Sequence, residues 1–389
     1  MSLTLSLPAE GGGPTRYTMR GTPVHLPPGP HKHSRLAFSA AHVVADPFSD
    51  TEPSGNAAID WDKTIAFRRR LLDLGLGIAE AMDTAQRGFG LDWNAALELI
   101  TRSLDAATPE ERDRIFSGVG TDHLSPEDAH TLDDVVGAYG EQIEAVQGVG
   151  GRIILMASRA LSRVATNADD YRYVYNKAIA MADKPVILHW LGEMFDPELK
   201  GYWGAQEFKE TLETALAVIH DNEVKIDGIK ISLLDAQKEV DMRRRLPSGV
   251  KMYTGDDFNY PELIKGDAQG YSHALLGIFD PIAMAASAAL TALARGDTAE
   301  YDRLMTPTVP LGRLIFRAPT QFYKTGIVFL AYLNGHQDHF VMLGGAQSMR
   351  PLPYFVDVFR LADAADLLEN PDQALARMKC FLTMYGFEQ

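Results

Sequence analysis

The chain has 389 residues, 46% hydrophobic and 23% charged, which is enough for a large core. A net charge of -15 with no basic cluster to offset it disfavours a nucleic-acid or anionic-membrane partner. The single cysteine, Cys380, excludes a disulfide within the chain and a cysteine zinc site, and it fits a cytoplasmic location. No basic stretch followed by an apolar run marks a secretory signal, and no apolar run reaches the ~18 residues of a membrane span.

Residues 1–35 are rich in Gly and Pro (GGGP, GTP, PPGP) and are expected to form an N-terminal arm or extended lid. His31 and His33 form an HxH pair there, read as solvated rather than as a metal site. From residue 36 the chain alternates. Short apolar runs at 36–44, 77–82, 115–119, 153–157, 186–189, 228–231, 250–254 and 274–278 predict strands. Helical spacing at 61–74, 93–104, 132–146, 171–181, 205–220 and 281–295 predicts helices between them. Eight alternations predict an α/β fold, a (β/α)8 TIM barrel over 36–298. The eighth helix ends at ARGD (294–297), with Gly296 suited to the position just past the end. The basic run at 243–245 lies among helix formers and reads as a solvated face. Residues 299–389 continue as helix-like segments at 301–305, 311–316, 323–333, 354–368 and 371–385, a C-terminal helical extension.

In a barrel of this type the active site is built from the C-terminal strand ends and the loops that follow. The sixth run, IDGIKISLLD (226–235), places Lys230 among isoleucines. Burial disfavours the ammonium form and frees the amine for attack on a carbonyl; the plainer reading is a snorkelling lysine with its head in water. The other strand ends offer His42 and Asp46; Asp83 and Thr84; Thr121 and His123; Ser158 and Arg159; His189 and Glu193; Ser232; Tyr253, Asp256 and Asp257; and Tyr271, Ser272 and His273. Any one of these serves a structural role as readily, and Asp256 suits a helix cap. Their convergence on one barrel mouth is the stronger signal.

The order of motifs resembles the dihydrodipicolinate synthase / N-acetylneuraminate lyase superfamily of Schiff-base aldolases. The resemblance rests on AHVVADPFSD (41–50), GVG (118–120), KPVILHW (184–190), GIK (228–230), TGDD (254–257), GYSHALLGIFDP (270–281), FYKTGIVFLAYLNG (322–335) and MRPLPY (349–354). It puts Lys230 at the position of the Schiff-base lysine and implies a homodimer or homotetramer. Two departures mark a divergent branch, of a kind named only as a domain of unknown function. The family's Gly-Thr-Thr-Gly-Glu signature is here MDTAQ (82–86), with Asp83 for the first Thr, Ala85 for the second Gly, and Thr84 kept. The family's proton-relaying tyrosine on the fifth strand is here His189.

The expected function is a lyase, an aldolase or dehydratase, that forms a Schiff base with a small carbonyl compound and uses no cofactor and no metal. Lys230 is the expected nucleophile, with His189 and Tyr253 as acid/base candidates. Asp83, Thr84, Ser232, Asp256 and His273 are the expected substrate-binding residues. An ionised Asp83 accepts hydrogen bonds and donates none. At ~4 Å from a substrate carboxylate it would repel by about 4 kcal/mol at an effective dielectric of 20. That argues for a neutral keto-sugar derivative rather than pyruvate. Two rival readings stand beside this one. The first is a metal-dependent barrel enzyme using His42, His123, His189 or His273 with Asp83, Glu193 or Asp256. The second is a non-catalytic binding relative.

Overall fold

Short, largely apolar runs buried on both faces form the eight parallel strands of a closed barrel. The structure, a computed structural model, describes residues 3–9, 11, 13–26 and 29–388. Gly12 of the GGGP run and Pro27 and Pro28 of PPGP, in the expected arm, lie outside the described residues. A hairpin, β1 (Thr4–Pro8) and β2 (Pro14–Thr18), precedes the barrel strands β3 (Ala37–Ala40), β4 (Gly77–Glu80), β5 (Ile115–Val119), β6 (Arg152–Leu155), β7 (Val186–Leu191), β8 (Ile226–Ser232), β9 (Lys251–Thr254) and β10 (His273–Leu276). Each strand pairs in parallel with the next, and β10 closes the ring on β3 through Ala274–Ala37, Leu275–Phe38 and Leu276–Ser39. This is the TIM barrel read from the sequence, followed by a C-terminal helical region. Among the described residues, no helix is long and apolar enough to cross a membrane.

By its internal contacts the chain divides into two compact units. One holds the barrel strands, in Arg35–Ala41 and Leu76–Gly277. Its helices include Trp93–Asp105, Leu132–Gly148, Ala168–Met181 and Phe208–Asp221. It also holds three short helices, Arg159–Val164, Ala236–Arg243 and Tyr260–Lys265. The short ones escape a periodicity reading, because about two turns give no repeat to count. Within this unit Arg243 departs from the expected solvated face. Its side chain is 9% exposed. It reaches Asp267 at 2.8 Å and Ser272 at 3.3 Å.

The other unit comprises Met1–Ser34, His42–Gly75 and Ile278–Gln389. The helices that follow β3 and β10, Trp61–Asp73 and Ala283–Ala294, group here with the C-terminal helices. Gly296 follows Ala283–Ala294 with φ of +79°, as a residue past a helix end should. The expected arm carries a packed hairpin. Leu5 and Leu7 are buried, in step with the alternation T-L-S-L-P. The Asp363 carboxylate accepts from the Tyr17 hydroxyl at 2.7 Å and from the backbone N–H groups of Arg20 and Gly21 at 3.0 and 3.1 Å. His33, read as solvated, is half-buried with Nε2 3.3 Å from Ser287 Oγ.

The barrel interior is filled by Phe38, Ala40, Ala79, Met82, Phe116, Ile154, Ile187, Tyr253 and Leu275. Phe38 meets Phe116 and Tyr253 edge to face, at 5.3 and 5.8 Å between ring centres. Two strand glycines make room for these rings. A Cβ on Gly77 would stand 2.5 Å from Phe38 Cδ1, and one on Gly228 would stand 2.6 Å from Tyr253 Cε2 and 2.5 Å from the Lys251 carbonyl. The Tyr253 ring therefore lies over Gly228 and leans toward the N-terminal end of the barrel. There its hydroxyl donates to Asp227 Oδ2 at 2.6 Å. Asp227 also takes Lys251 Nζ at 3.0 Å and faces Arg152 at 3.7 Å.

Tyr253→Phe removes one hydrogen bond to a carboxylate and should lower the unfolding free energy by about 1.5–3 kcal/mol. Gly228→Ala drives a methyl into Tyr253 and into backbone, at a cost of about 1–3 kcal/mol. Denaturant unfolding midpoints check both, and Gly228→Ala at wild-type stability would show that the ring moves aside freely.

Candidate active site at the barrel mouth

Lys230 is the fifth residue of β8 and points into the C-terminal half of the barrel, where its register partners are His189 on β7 and Tyr253 on β9. The residue is 8% exposed. Its stem passes over Gly255, where a Cβ would stand 2.9 Å from Lys230 Cε, 2.4 Å from Ser232 Oγ and 2.5 Å from the Ile231 carbonyl. Glycine at 255 is thus a condition of the lysine's approach. Burial lowers the amine's pKa, and the carboxylates of Asp257 and Asp83 pull it the other way. No hydrogen bond ties the amine to another of the described residues.

His189 is 2% exposed, and its Nε2 lies 3.2 Å from Ser232 Oγ. Burial, helped by the positive charge of Lys230, holds its pKa well below the usual histidine value. At neutral pH this imidazole is uncharged and able to take a proton. The two β8 residues and His189 thus form one constellation: an amine, a neutral imidazole and a hydroxyl.

A cavity of about 260 Å3 opens beside it, lined from the loops that follow β4, β5, β6 and β7. Asp83, Thr121, Ser158, Arg159, His189 and Asp196 supply much of its polar wall. Asp83 reaches the cavity because the chain turns sharply after β4. Ala81 takes φ of +52° and Gln86 φ of +64°, on either side of a 3-10 turn over Asp83–Ala85. A buried alanine in the left-handed region is strained by about 1–3 kcal/mol, a cost met most often at functional sites. The Asp83 carboxylate takes no hydrogen bond or ion pair from the described residues. It does not cap the next helix, whose cap is Asp92, and it does not pair with Arg87.

Arg87 is committed elsewhere. It grips both Asp122 oxygens at 2.7 Å, Gln142 Oε1 at 2.8 Å, and the carbonyls of Gly118 and Ala81 at 3.0 and 3.2 Å. Gln142 in turn accepts from Gly120 N–H and donates to Asp122 Oδ1. Burial acts to raise the Asp122 pKa, but Arg87 and Gln142 outweigh it and hold the carboxyl low. This clamp fixes the loops after β4 and β5 that carry Asp83 and Thr121. Ser158 and Thr121 share a 2.6 Å hydroxyl contact, and the Tyr202 hydroxyl accepts from Ser158 N–H at 3.1 Å.

Several expected site residues do not join this constellation. Tyr253 is its register neighbour, but its hydroxyl is spent on Asp227 at the other end of the interior, and burial with that carboxylate pushes its pKa far up. His273 begins β10, so it stands at the N-terminal end of the strand. Its Nδ1 accepts from Leu36 N–H at 3.0 Å, and burial with nearby Lys251 and Arg35 pushes its pKa down to about 4. Asp256 Oδ1 accepts from the backbone N–H groups of Phe258 and Asn259, a turn-forming role. Ser272 donates to the buried Glu239 at 2.6 Å. Thr84 is buried and does not line the cavity. The histidines named for a metal have other partners: His42 Nδ1 with Asp280 at 2.8 Å, and His123 with Glu141 and Gln142. Among the described residues, no group of three or more His, Cys, Asp or Glu is gathered to hold a metal. Sequence reasoning missed the Arg87–Asp122–Gln142 clamp and the place of Asp196 on the cavity wall. Contacts 35 and 55 residues apart leave no local pattern.

Dihydrodipicolinate synthase from Aquifex aeolicus superposes with a TM-score of 0.64 at 12% identity, covering 86% of this chain and 100% of that one. YagE, a prophage protein of the dihydrodipicolinic acid synthase family from E. coli K12 in complex with pyruvate, gives 0.65 at 14% identity, covering 86% and 99%. A putative dihydrodipicolinate synthetase from Pseudomonas aeruginosa gives 0.64 at 16%, covering 85% and 99%. At such identities these likenesses establish a shared fold. Comparison with curated proteins finds no match. One family model spans residues 5–387, that described as "Protein of unknown function (DUF993)", and the chain belongs to this family.

Proposed function

We propose that the protein is an imine-forming lyase acting on a small hydroxylated carbonyl compound. The observation that carries this reading is the Lys230 amine, buried at a barrel strand end with a lowered pKa, beside a neutral imidazole. The barrel shared with dihydrodipicolinate synthases supports it further.

In this mechanism the neutral amine adds to the substrate carbonyl carbon. The carbonyl oxygen takes up two protons and leaves as water, and a protonated imine remains. For carbon–carbon cleavage, a base removes the proton of the hydroxyl on the β carbon. The electrons of the bond between the α and β carbons flow into the imine, which gives an enamine and an aldehyde. The enamine is then protonated on carbon, and water restores the amine and releases the second carbonyl product. For dehydration, the proton leaves the α carbon and the hydroxyl leaves the β carbon as water. His189 Nε2 is the group assigned to these transfers, with Ser232 Oγ orienting it. The unpaired Asp83 carboxylate disfavours a carboxylate beside the reacting carbon and accepts hydrogen bonds from hydroxyls.

Borohydride added in the presence of a ketose should leave a stable mass increment on Lys230, located by peptide mapping. Lys230→Arg should lose it, because guanidinium supplies no neutral nucleophile. A labelled Lys230→Arg protein would sink the reading. The lowered Lys230 pKa means that the native state binds fewer protons than the unfolded chain just below 10.5, so its burial costs stability at neutral pH. Lys230→Met should therefore melt at the same temperature as wild type or higher.

His189→Phe should keep the fold and slow adduct formation by about 10²–10⁴-fold, as for other general acid/base groups. Because its native pKa is depressed, His189 stays neutral as pH falls past 6.5 while the unfolded chain protonates. Wild type should lose stability below about pH 6.5, and His189→Phe should show a shallower loss. Parallel melts across that window decide the point, and identical curves would contradict it.

Asp83 sets the choice of substrate. Pyruvate should label wild type poorly, and Asp83→Asn should improve pyruvate labelling by about tenfold or more, at 1.4 kcal/mol per decade. Strong pyruvate labelling of wild type with no response to ketoses would overturn the assignment.

A further inference from the structure

The cavity that His189 and Asp83 line, next to Lys230 rather than lined by it, carries on its far wall a second polar feature that the imine chemistry does not use. Arg159 follows β6 and lines the cavity, with its side chain 56% exposed. Among the described residues its Nε alone is committed, donating to Asp196 Oδ2 at 2.7 Å. Asp196 follows β7, is 14% exposed at its side chain, and holds its other oxygen against Glu198 N–H at 3.2 Å. The two terminal nitrogens of the guanidinium take no bond from the described residues. They form the part of a planar fork that can donate to two neighbouring oxygens at once.

The charge around the fork decides which oxygens suit it. Asp196, Glu198 and Asp83 all act on Arg159 electrostatically. Three carboxylates around one guanidinium leave the neighbourhood net negative. A phosphate or carboxylate entering there would meet them as well as the arginine. Neutral hydroxyls meet no such repulsion: each can accept from the fork and donate to a carboxylate. Asp83 also acts on Lys230, so one carboxylate lies within electrostatic reach of both the amine and the fork. The volume, about 260 Å3, is just below the ~300 Å3 at which pockets for drug-sized ligands begin, and it exceeds what a three-carbon acid would fill.

Resting on the imine reading, we infer that the Arg159–Asp196 pair is a specificity site for the uncharged polyol tail of a ketose longer than three carbons. The carbonyl lies at Lys230, the first hydroxyls at Asp83, and a vicinal pair further along at the Arg159 fork. The pair reads chain length and hydroxyl configuration and takes no part in the bond-making.

The test uses borohydride trapping on the full chain with dihydroxyacetone and with the hexuloses fructose and tagatose. The readout is the half-saturating concentration for mass incorporation. For each protein it is taken as the ratio of hexulose to triose, and between proteins as the change in that ratio, so that ring-opening of the sugar cancels. Arg159→Met and Asp196→Asn should each shift the ratio against the hexuloses by about tenfold, the scale of one hydrogen bond to a charged group. Arg159→Lys, which keeps the charge and loses the fork, should shift it in the same direction. Melting temperatures near wild type confirm that these substitutions leave the fold intact. Should Arg159→Met fold poorly, Arg159→Lys and Asp196→Asn carry the comparison. Labelling by both classes with no change of ratio in these variants would overturn the tail site and leave the lysine chemistry standing. Tighter labelling by a hexulose phosphate than by the neutral hexulose would overturn it too. Failure of every carbonyl compound to label Lys230 would remove the lyase reading and this inference with it.

Discussion

The interior of a closed eight-stranded barrel has a fixed volume, and how that volume is filled governs everything at its mouth. Here one part is filled by rings. Phe38, Phe116 and Tyr253 pack edge to face, and they do so because Gly77 and Gly228 contribute no side chains. Asp227 holds the Tyr253 hydroxyl, and with it the ring, toward the N-terminal end. Lys230 stands two residues along β8 from Gly228, so its stem rises from an apolar floor. Removing water from that floor disfavours the ammonium more strongly than the carboxylates of Asp257 and Asp83 favour it. The reactivity ascribed to the amine is thus a product of packing beneath it.

Rigidity around the cavity comes from a different source. Arg87 ties two strand-end loops together through five acceptors on four residues, and Gln142 braces the same carboxylate from the helix Leu132–Gly148. A guanidinium so fully used has no donor left for a substrate. Its contribution is to keep the strained turn at Ala81 from relaxing, and that turn is what aims Asp83 into the cavity. Arg159, one loop further round, makes a single hydrogen bond among the described residues and keeps its fork open. The two arginines on one cavity wall therefore play opposite parts: one is structural because it is saturated, and the other is available because it is not.

Much of this was legible in the chain itself. The run at 115–119 coincides with β5, and the other barrel runs fall on observed strands with ends shifted by a few residues. Apolar residues continue past several ladders because the strand-end loops are buried too, as at Ala41–Val44 beyond β3. Lys230, His189 and Ser232 were readable because strand parity and position suffice to bring them together. Tyr253 was not. It shares register with Lys230, and only the absence of a side chain at Gly228 tells the ring to lean away from the mouth. His273 was misplaced by a matter of direction, since the first residue of a parallel strand lies at the end opposite the active site. At the N-terminus, Gly and Pro content masked a five-residue alternation that buries Leu5 and Leu7.

The carboxylate of Asp363 holds a residue that the ribosome makes hundreds of positions before it. Tyr17 and Asp363 are separated by 346 positions, and Arg70 and Glu369 by 299. The unit that contains both pairs is assembled from three separate stretches, the last beginning at Ile278. The barrel strands, in contrast, are all synthesised once Leu276 has been added. During translation the barrel can close first, while the hairpin and the helix Trp61–Asp73 wait, with Leu5, Leu7 and Phe67 uncovered, for partners still to be made. Exposure to chaperones is therefore concentrated on the hairpin and the helix Trp61–Asp73, and it is relieved once the stretch from Ile278 onward has been made.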